Sequence, residues 1–272
     1  MADVHIITGG SSGIGLGAAR NFNQGKVIIT GRTEETLKKA EKELKEAGVD
    51  VGYKTSDITD RESLKELFEF GKTFGRIKTV VNSAGVSGGM ASAKQTLEID
   101  LFGTENMIEE TYKHAEEDTS LILIGSMMGY IVPDDEEVNE LLANPSEEGA
   151  IDRLVEILND DSDEAYNYSK KGVHLMVKKY ANKFGEKDAR INSISPGIIM
   201  TPMAKKAAED HPEQMEQMKS LTPMSRNGER EDVSNAVCFL ASDNSSFVTG
   251  IDLLVDGGLS INLAKVREEY ER

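Results

Sequence analysis

Seven short apolar runs, separated by longer amphipathic stretches, constrain the fold of this 272-residue chain more than any other feature. Runs without an alternating polar face fit strands that are buried on both sides, as in a parallel sheet covered by helices. The pattern therefore predicts a doubly wound α/β fold on a seven-stranded parallel sheet, with ligands at the carboxyl ends of the strands. Strands are expected at residues 4–8, 26–30, 51–55, 79–83, 121–125, 191–195 and 251–255, and helices at residues 34–47, 61–71, 97–115 and 173–184.

The pattern continues along the chain without an internal repeat or a linker rich in Pro, Gly or Ser. We therefore predict a single domain over residues 1–272, long enough to bury a substantial core. The only cysteine, Cys238, lies inside an apolar run, which predicts a buried structural thiol and excludes an internal disulfide. The four histidines do not have the spacing of metal ligands, so we expect no metal site.

The chain is strongly acidic, with 31 basic and 48 acidic residues and a formal charge of −17. Such a charge makes nucleic acids and anionic membrane surfaces unfavourable partners. The apolar runs are too short to span a bilayer, and the first strand begins almost at the N-terminus. We therefore expect a cytoplasmic protein that binds neither nucleic acid nor membrane.

Much of this acidity lies in residues 131–164, which interrupt the alternation of strands and helices and are called the acidic insertion below. Between Asp134 and Glu164 there are thirteen acidic residues and one basic residue, Arg153. Apolar residues recur there at helical spacing, so we predict two short amphipathic helices with acidic outer faces. The acidic insertion either covers an outer surface or closes over a pocket, and both interpretations stay open at this point.

The stretch TGGSSGIG, Thr8 to Gly15, follows the first strand and opens a helix. Its glycines at positions 9, 13 and 15 permit positive φ and remove the Cβ atoms that would keep a pyrophosphate from the backbone. The N-terminus of the following helix adds amide donors and a partial positive charge. In this strand–turn–helix context the glycines indicate a dinucleotide-binding site.

Arg32 follows the second strand, where a dinucleotide fold meets the ribose of the adenosine. A carboxylate there would accept from a 2′-hydroxyl and repel a 2′-phosphate, whereas a guanidinium binds the phosphate through charge-assisted hydrogen bonds. Arg32 therefore favours NADP(H) over NAD(H). The alternative is that Arg32 only begins a charged helix.

The stretch AYNYSKKG, residues 165–172, contains two tyrosine–lysine pairs. Tyr166 and Lys170 are four residues apart and would share one face of a helix, with Cβ atoms about 5–6 Å apart. Tyr168 and Lys171 are three apart and could meet on a different face. We interpret this second pair as packing and surface residues, although Tyr168 could also line a pocket.

Five motifs occur in an order that resembles the classical short-chain dehydrogenases/reductases. They are TGGSSGIG, NSAG at 82–85, a serine after the fifth strand, YNYSK at 166–170 and SPG at 195–197. The ending at 238–258, CFLASDNSSFVTGIDLLVDGG, is also similar to the closing helix and strand of that family. The resemblance extends from residue 3 to near residue 260, apart from the acidic insertion. Carbonyl reductases and hydroxysteroid dehydrogenases are the members that resemble this chain in carrying an insertion before the tyrosine.

The resemblance implies a seven-stranded, Rossmann-like sheet and nicotinamide-dependent oxidoreduction of an alcohol or ketone. It implies that Ser126 and Tyr166 hold the substrate oxygen and that Lys170 is their partner. Together with the glycine turn and Arg32, it predicts cofactor contacts from Gly9, Ser11, Ser12, Gly13, Ile14, Gly15, Arg32, Asp57, Ile58, Asn82, Ala84, Gly85, Tyr166, Lys170, Pro196, Gly197, Ile199 and Thr201.

These assignments give the first tyrosine–lysine pair a physical role. A ketone that accepts a hydride develops negative charge on its oxygen, which needs a proton donor and a hydrogen-bond partner in place. An ordinary phenol titrates near pH 10, and both Lys170 and the positive ring of the oxidised cofactor should lower the pKa of Tyr166. We therefore predict Tyr166 as the acid/base, Lys170 as the residue that tunes it and orients the cofactor, and Ser126 as the partner of the substrate oxygen.

Asp100 departs from the family pattern, in which most members carry an asparagine that helps to hold a water on a proton route from the lysine. A carboxylate accepts from that water and from Lys170 but donates no amide hydrogen bond. We predict that Asp100 takes part in catalysis and raises the pKa of the lysine. The alternative is that the family's motif is displaced in this chain.

Methionines near the predicted site favour a bulky apolar substrate. Five of the eleven fall between Met200 and Met224, and two more adjoin Ser126; their flexible thioethers suit a large ligand but serve equally well as core filler. The resemblance marks residues 201–224 as a substrate loop. We predict an NADP(H)-dependent oxidoreductase of a hydroxysteroid or related carbonyl compound. A reductase of small ketones or 3-oxoacyl compounds, an epimerase or dehydratase, and a catalytically silent NAD(P) sensor on the same fold are the alternatives.

The acidic insertion also bears on assembly. It leaves the chain just beyond Ser126 and returns at Tyr166, so we expect it near the mouth of the active site. We expect it to shield the helix that carries Tyr166 from pairing with a second copy. A monomer or homodimer is therefore predicted, and a tetramer is disfavoured.

Overall fold

The computed structural model describes residues 2–201, 204 and 212–270. All seven predicted strands are present, and they form one parallel sheet, which confirms the predicted fold class. The strands are β1 (Asp3–Thr8), β2 (Lys26–Gly31), β3 (Val51–Thr55), β4 (Arg76–Asn82), β5 (Ser120–Ile124), β6 (Arg190–Pro196) and β7 (Asp252–Val255). Their spatial order is β3-β2-β1-β4-β5-β6-β7.

Helices cover both faces of this sheet. They are α1 (Gly13–Asn21), α2 (Glu34–Glu46), α3 (Arg61–Lys72), α4 (Ala93–Leu97), α5 (Gly103–His114), α6 (Glu136–Ala143), α7 (Ala150–Ile157), α8 (Ser162–Gly185), α9 (Pro212–Leu221), α10 (Arg230–Ala241) and α11 (Leu259–Tyr270). Two buried apolar clusters, one on each side of the sheet, form the core. No helix in the described part of the chain is long and apolar enough to cross a membrane.

The order of the strands determines where a ligand can bind. The chain builds outward from β1 to β3 and then returns to the centre, so that β1 pairs with both β2 and β4. Connections on the two sides of this point leave in opposite directions, which opens a crevice at the carboxyl ends of β1 and β4. The glycine turn after β1 and the NSAG motif after β4 therefore face each other across the crevice.

The helix predicted at residues 97–115 is interrupted. Between α4 and α5, residues Glu98–Phe102 form a turn of π-helix, in which one extra residue is accommodated. Asp100 lies inside this turn and is buried. Hydrophobic spacing alone does not reveal a single-turn distortion, because the apolar face continues through it.

Helix α8 begins earlier than the apolar pattern indicated. Its start is capped by Asp161, whose carboxylate accepts from the backbone N–H groups of Asp163 and Glu164. The helix therefore carries both Tyr166 and Lys170 within its first three turns. Its central residues are buried, so these two side chains stand on a rigid element.

The two helices predicted within the acidic insertion are α6 and α7. Their apolar residues Val138, Leu142, Leu154 and Leu158 join the core, while their acidic residues face outward. Helix α6 packs against α8, and α7 packs against both α4 and α6. The acidic insertion is thus docked on the outer side of the helices that carry Asp100 and Tyr166.

Lys171 holds the first residues of the acidic insertion. Its Nζ donates to the carbonyl oxygens of Val132 and Pro133 at 3.4 and 2.6 Å and to the carboxylate of Asp134 at 2.8 Å. Its side chain is only 8% exposed. The interpretation of Lys171 as a surface residue was therefore wrong, since its ammonium anchors the insertion to α8.

His5, on β1, generates a prediction about stability and pH. Its ring is buried against Phe22, with centroids 4.3 Å apart, and its Nδ1 has no hydrogen-bond partner among the described residues. Burial lowers the pKa of His5 from 6.5 to about 4. The unfolded chain therefore binds more protons than the folded chain in that interval, and folding stability falls as the pH falls through it.

We expect the titration of His5 to lower the free energy of unfolding by about 2 kcal/mol when the pH falls from 7.5 to 5. A His5→Gln variant keeps a donor for the carbonyl of Gln24 but cannot titrate, so its loss over the same interval should be smaller by that amount. Urea unfolding of both proteins at the two pH values measures the difference. Equal losses in both would contradict the assignment.

Candidate active site

A cleft of about 730 Å³ opens at the predicted crevice, along the carboxyl ends of the central strands. It brings together residues that are far apart in the sequence but were predicted to share one site. The predicted residues that line it are Gly9, Ser11, Ser12, Gly13, Ile14, Arg32, Asp57, Ile58, Ala84, Gly85, Ser126, Tyr166, Lys170, Pro196, Gly197, Ile199 and Thr201. No described residue of the acidic insertion lines it.

The glycine turn presents the N-terminus of α1 to this cleft. Ser12 is the N-cap of α1, yet its side chain makes no capping hydrogen bond, so the first amides of the helix lack a side-chain partner. Gly13 has a φ of +52°, and a Cβ there would meet only Thr201, at 3.8 Å. The Oγ1 of Thr30, also in the cleft wall, is buried without a hydrogen-bond partner among the described residues. This lining fits the diphosphate of a dinucleotide.

Two predicted cofactor residues lie behind the wall of the cleft. A Cβ at Gly15 would lie 2.5 Å from the carbonyl oxygen of Gly9, so Gly15 lets α1 approach the turn closely. Asn82 is buried, accepts from the Thr8 hydroxyl at 2.7 Å and donates to the Thr104 hydroxyl at 3.2 Å. Both residues therefore support the wall of the cleft, and their contacts with the cofactor stay predictions.

Thr8 lines the cleft and supports its wall, which the sequence reasoning missed. Its hydroxyl oxygen accepts from the backbone N–H groups of Ser83 and Ala84 at 3.0 and 2.9 Å. It thereby ties the end of β1 to the loop after β4, across the crevice. Its place at the end of a strand, one residue before the glycine turn, is the signal that could have identified it.

The adenosine end of the cleft contains Arg32 at the end of β2, beside Thr33 and Thr36. Arg32 is exposed and forms no ion pair with any described residue. On the other side of this end, Asp57 accepts at Oδ1 from the N–H and the hydroxyl of Thr59, which shapes the loop after β3. The guanidinium is therefore uncommitted and stands where the family's fold meets the adenosine ribose.

Ser126, Tyr166 and Lys170 meet at the opposite end of the cleft. The Nζ of Lys170 lies 5.2 Å from the centre of the Tyr166 ring. Ser126 is buried at the end of β5 and accepts at Oγ from the N–H of Met128, at 3.2 Å. That bond uses a lone pair of the hydroxyl and leaves its hydrogen to donate to a ligand.

Asp100 forms a buried ion pair with Lys170. Its Oδ2 lies 2.9 Å from the Nζ of Lys170, and its Oδ1 accepts from the N–H of Val86 at 2.8 Å. Burial lowers the pKa of Lys170, but attraction to Asp100 and to the Tyr166 oxygen outweighs burial, so the pKa of Lys170 is raised above its ordinary value. A Cβ at Gly85 would lie 3.1 Å from the Asp100 carboxylate, which explains the glycine there.

Pro196 and Gly197 end β6 and form the wall facing the lysine side of the cleft, followed by Ile199 and Thr201. The N–H of Gly197 donates to the carbonyl of Val255 at 2.9 Å, which fixes this wall to β7. Of the predicted substrate loop, residues 202–203 and 205–211 lie outside the described residues. Tyr168 packs against the apolar core and does not line the cleft.

The cleft thus combines the N-terminus of α1, an arginine without an ion-pair partner among the described residues, and a phenol beside a buried ammonium. The phenol and the serine hydroxyl can hold one oxygen atom of a ligand. The ammonium is held charged by a carboxylate on its far side. Such a site can bind a dinucleotide and exchange a proton with an alcohol or carbonyl oxygen.

Comparisons with known proteins support the interpretation of the cleft as a dinucleotide-binding site. The family model described as short chain dehydrogenase matches residues 3–134, and the model described as enoyl-(acyl carrier protein) reductase matches residues 154–260. The residues between these matches, 135–153, lie within the acidic insertion. An NADP-dependent (R)-specific alcohol dehydrogenase of Lentilactobacillus kefiri is 32% identical, covering 94% of this chain and 95% of that protein.

A 7α-hydroxysteroid dehydrogenase of Bacteroides fragilis is 30% identical, covering 94% of each chain. A solved short-chain type dehydrogenase/reductase from Mycobacterium ulcerans superimposes with a TM-score of 0.78 at 27% identity, covering 95% of this chain and 90% of that one. Similarity of this extent spans the sheet and every motif in the cleft. The chain therefore belongs to the short-chain dehydrogenase/reductase family of oxidoreductases, which use a nicotinamide cofactor.

Proposed function

We propose that this protein transfers a hydride between NADP(H) and a secondary alcohol or ketone, with a bulky apolar compound such as a hydroxysteroid as its substrate. The observation that carries the proposal is the meeting of Ser126, Tyr166 and Lys170 in the same cleft as the glycine turn. A catalytically silent sensor would have no need of this set, and an epimerase would return its cofactor unchanged. Net oxidation of the cofactor by a ketone therefore separates the proposal from both.

The cofactor, when bound, supplies or accepts the hydride. For ketone reduction, Ser126 and Tyr166 donate hydrogen bonds to the carbonyl oxygen, and Tyr166 gives up its proton as charge develops there. For alcohol oxidation, the phenolate of Tyr166 takes the hydroxyl proton. Lys170 stabilises that phenolate because its ammonium stays charged in the buried site.

The preference for NADP(H) rests on Arg32. Its guanidinium is exposed at the adenosine end of the cleft, without an ion-pair partner in the described chain. A 2′-phosphate would receive charge-assisted hydrogen bonds from it. The acidic first turn of α2, with Glu34 and Glu35, opposes a phosphate, but Glu34 is paired with Lys38 at 3.0 Å. The alcohol dehydrogenase of L. kefiri, named as NADP-dependent, supports the same choice.

A bulky apolar substrate is supported by the relative from B. fragilis, whose name gives a hydroxysteroid. No methionine is among the described residues that line the cleft, so the methionines add no support to this choice. The second candidate is a reductase of small ketones or 3-oxoacyl compounds. The match of residues 154–260 to the model described as enoyl-(acyl carrier protein) reductase favours it. A panel of ketosteroids, small ketones and 3-oxoacyl thioesters with NADPH distinguishes the two by kcat/KM.

Tyr166 is the residue on which the proposed chemistry is tested. Tyr166→Phe removes only the hydroxyl, so ketone reduction should fall at least about 100-fold while the Kd for NADPH changes less than about 3-fold. Tyr168→Phe is the matched control, since Tyr168 lies two residues away on α8 and packs against the core. Substantial activity in Tyr166→Phe, or an equal loss in Tyr168→Phe, would contradict the assignment.

Arg32 is the residue on which the cofactor preference is tested. Arg32→Asp should weaken NADPH binding about 10- to 100-fold relative to NADH, because a carboxylate repels the 2′-phosphate. Fluorescence titration with both cofactors measures the ratio of the two Kd values. Arg20→Asp is the control, since Arg20 is exposed on α1 and pairs with Glu43. An unchanged ratio in Arg32→Asp would remove the argument for NADP(H).

Asp100 is expected to tune the pH dependence of alcohol oxidation. The charge of Asp100, 2.9 Å from the Nζ of Lys170, raises the pKa of that buried ammonium. Asp100→Asn removes this compensation, so Lys170 should lose its proton at a lower pH, and the basic limb of the pH–rate profile should move down by about one unit. Measurement of kcat/KM for the alcohol from pH 6 to pH 11 tests this. A basic limb that stays in place would mean that Asp100 does not hold Lys170 charged.

We also propose that the acidic insertion limits assembly to a monomer or homodimer. It covers the outer side of α4 and α8, and Lys171, Lys94 and Lys179 bind it at three separate points. A second copy therefore has no free access to these helices. Light scattering coupled to gel filtration measures the mass, and a compact tetramer would refute the proposal.

A further inference from the structure

Helix α8 carries a third polar side chain on the face of Tyr166 and Lys170. His174 lies one turn beyond Lys170, so the three residues follow each other at spacings of four. Its side chain is 12% exposed, and burial lowers the pKa of His174 below its ordinary value, which leaves the ring neutral at neutral pH. Its Nε2 lies 2.7 Å from the Ser195 hydroxyl oxygen and 3.5 Å from the Asp252 carboxylate.

Asp252, at the start of β7, is the centre of this arrangement. Its side chain is 9% exposed, and its Oδ1 accepts from the hydroxyls of Ser193 and Ser195. Its Oδ2 accepts from the hydroxyl of Tyr130 at 2.8 Å. Because Ser195 donates to Asp252, we assign the ring hydrogen of His174 to Nε2, from which it donates to Ser195. The buried Asp252 carboxylate thus accepts hydrogen bonds from β6 and from the turn that carries Tyr130. Helix α8 is linked to this carboxylate through the hydrogen bond between His174 and Ser195.

The backbone on either side of Ser126 packs directly against Ser195 and His174. A Cβ at Gly125 would lie 2.9 Å from the Ser195 hydroxyl oxygen and 3.3 Å from Nε2 of His174. A Cβ at Gly129 would lie 2.7 Å from Cε1 of His174. Ser195 and His174 thus occupy the space that a side chain at Gly125 would need, and His174 occupies it at Gly129 together with the backbone of α8. A shift of His174 or Ser195 would shift Ser126.

Tyr130 closes the group on the outer side. It ends the 3₁₀ turn Met127–Tyr130, which begins directly after Ser126. Its ring packs against the ring of His174 with centroids 4.8 Å apart, and its hydroxyl reaches Asp252. The turn after Ser126 is therefore held at both ends, by the glycine contacts and by this hydrogen bond.

The group is not a nucleophilic triad, although it contains a serine, a histidine and an aspartate. In a triad the carboxylate orients the histidine through Nδ1, whereas Asp252 lies on the Nε2 side. Ser195 has no exposed surface and cannot reach a substrate. Its contacts are suited to holding backbone in place.

We propose that Asp252, His174, Ser195 and Tyr130 form a positioning cluster that sets the place of Ser126 relative to Tyr166. The cluster rests on the proposed function, because it acts on the reaction only through the hydrogen bond of Ser126 to the substrate oxygen. A displacement of about 1 Å in such a group can cost about 100-fold in rate.

A double-mutant cycle tests the cluster. Asp252→Asn keeps the shape of the side chain but removes the charge, and we expect kcat for ketone reduction to fall about 10- to 100-fold with the Kd for NADPH changed less than about 3-fold. In a Ser126→Ala background the same change should cost less than about 3-fold, because the residue that it positions is absent. Asp50→Asn, at an aspartate 72% exposed and remote from the cleft, should leave kcat unchanged.

Tyr130→Phe serves as a second variant, since it keeps the ring and removes only the hydroxyl at a half-exposed residue. It should lower kcat about 3- to 10-fold, again only when Ser126 is present. Should Asp252→Asn fail to fold, this variant decides alone. Equal losses with and without Ser126, or an unchanged kcat in the single variants, would overturn the cluster. An unchanged kcat in Ser126→Ala by itself would instead contradict the proposed function.

Discussion

The buried ion pair between Lys170 and Asp100 is the interaction on which the site depends. An ammonium removed from water is tolerated only when an opposite charge and hydrogen bonds compensate it. The π turn between α4 and α5 brings the carboxylate to the ammonium, and the missing side chain of Gly85 makes room for it. The backbone N–H of Val86 satisfies its second oxygen. A local departure from α-helical geometry therefore supports a charge that acts on the phenol of Tyr166.

The start of α5, which follows the π turn, connects parts of the fold that are distant in sequence. Three consecutive residues after the π turn reach outward in different directions. Thr104 binds Asn82 behind the glycine turn, Glu105 accepts from the N–H of Ser146 in the acidic insertion, and Asn106 donates to the carbonyl of Ile58 at the adenosine end. The start of α5 is thus a junction between the cleft and the insertion, and a shift there would reach both.

The sheet could be predicted from the sequence because short apolar runs alternate with stretches of helical spacing, although Val51–Thr55 and Arg190–Pro196 also contain polar residues. The glycine turn and Arg32 were accessible for a related reason, since each lies at the end of a strand. The serine–tyrosine–lysine set was implied by the resemblance to the family. The π turn could not be predicted, because it inserts one residue without breaking the apolar stripe. The supporting contacts of Gly15 and Asn82 with other parts of the wall were likewise beyond what the motifs predicted.

Contacts between buried polar side chains were the other feature beyond sequence reasoning. Lys171 follows Lys170 in the chain and looked solvated, yet it binds carbonyls nearly forty residues away. His174 and Asp252 are far apart in the chain and carry no motif. Such pairs depend on the tertiary arrangement of strands and helices, which spacing within one element does not encode.

The docking of the acidic insertion has a consequence for how this chain can diverge. Helix α6 packs against α8, and α7 packs against α4 and α6. The described residues of the insertion take no part in the wall of the cleft. Evolution or an engineer can therefore replace its outward carboxylates, or graft a tag or epitope onto its loops, while the chemistry beneath stays constant. The outward face of the insertion can therefore change in sequence independently of the residues that line the cleft.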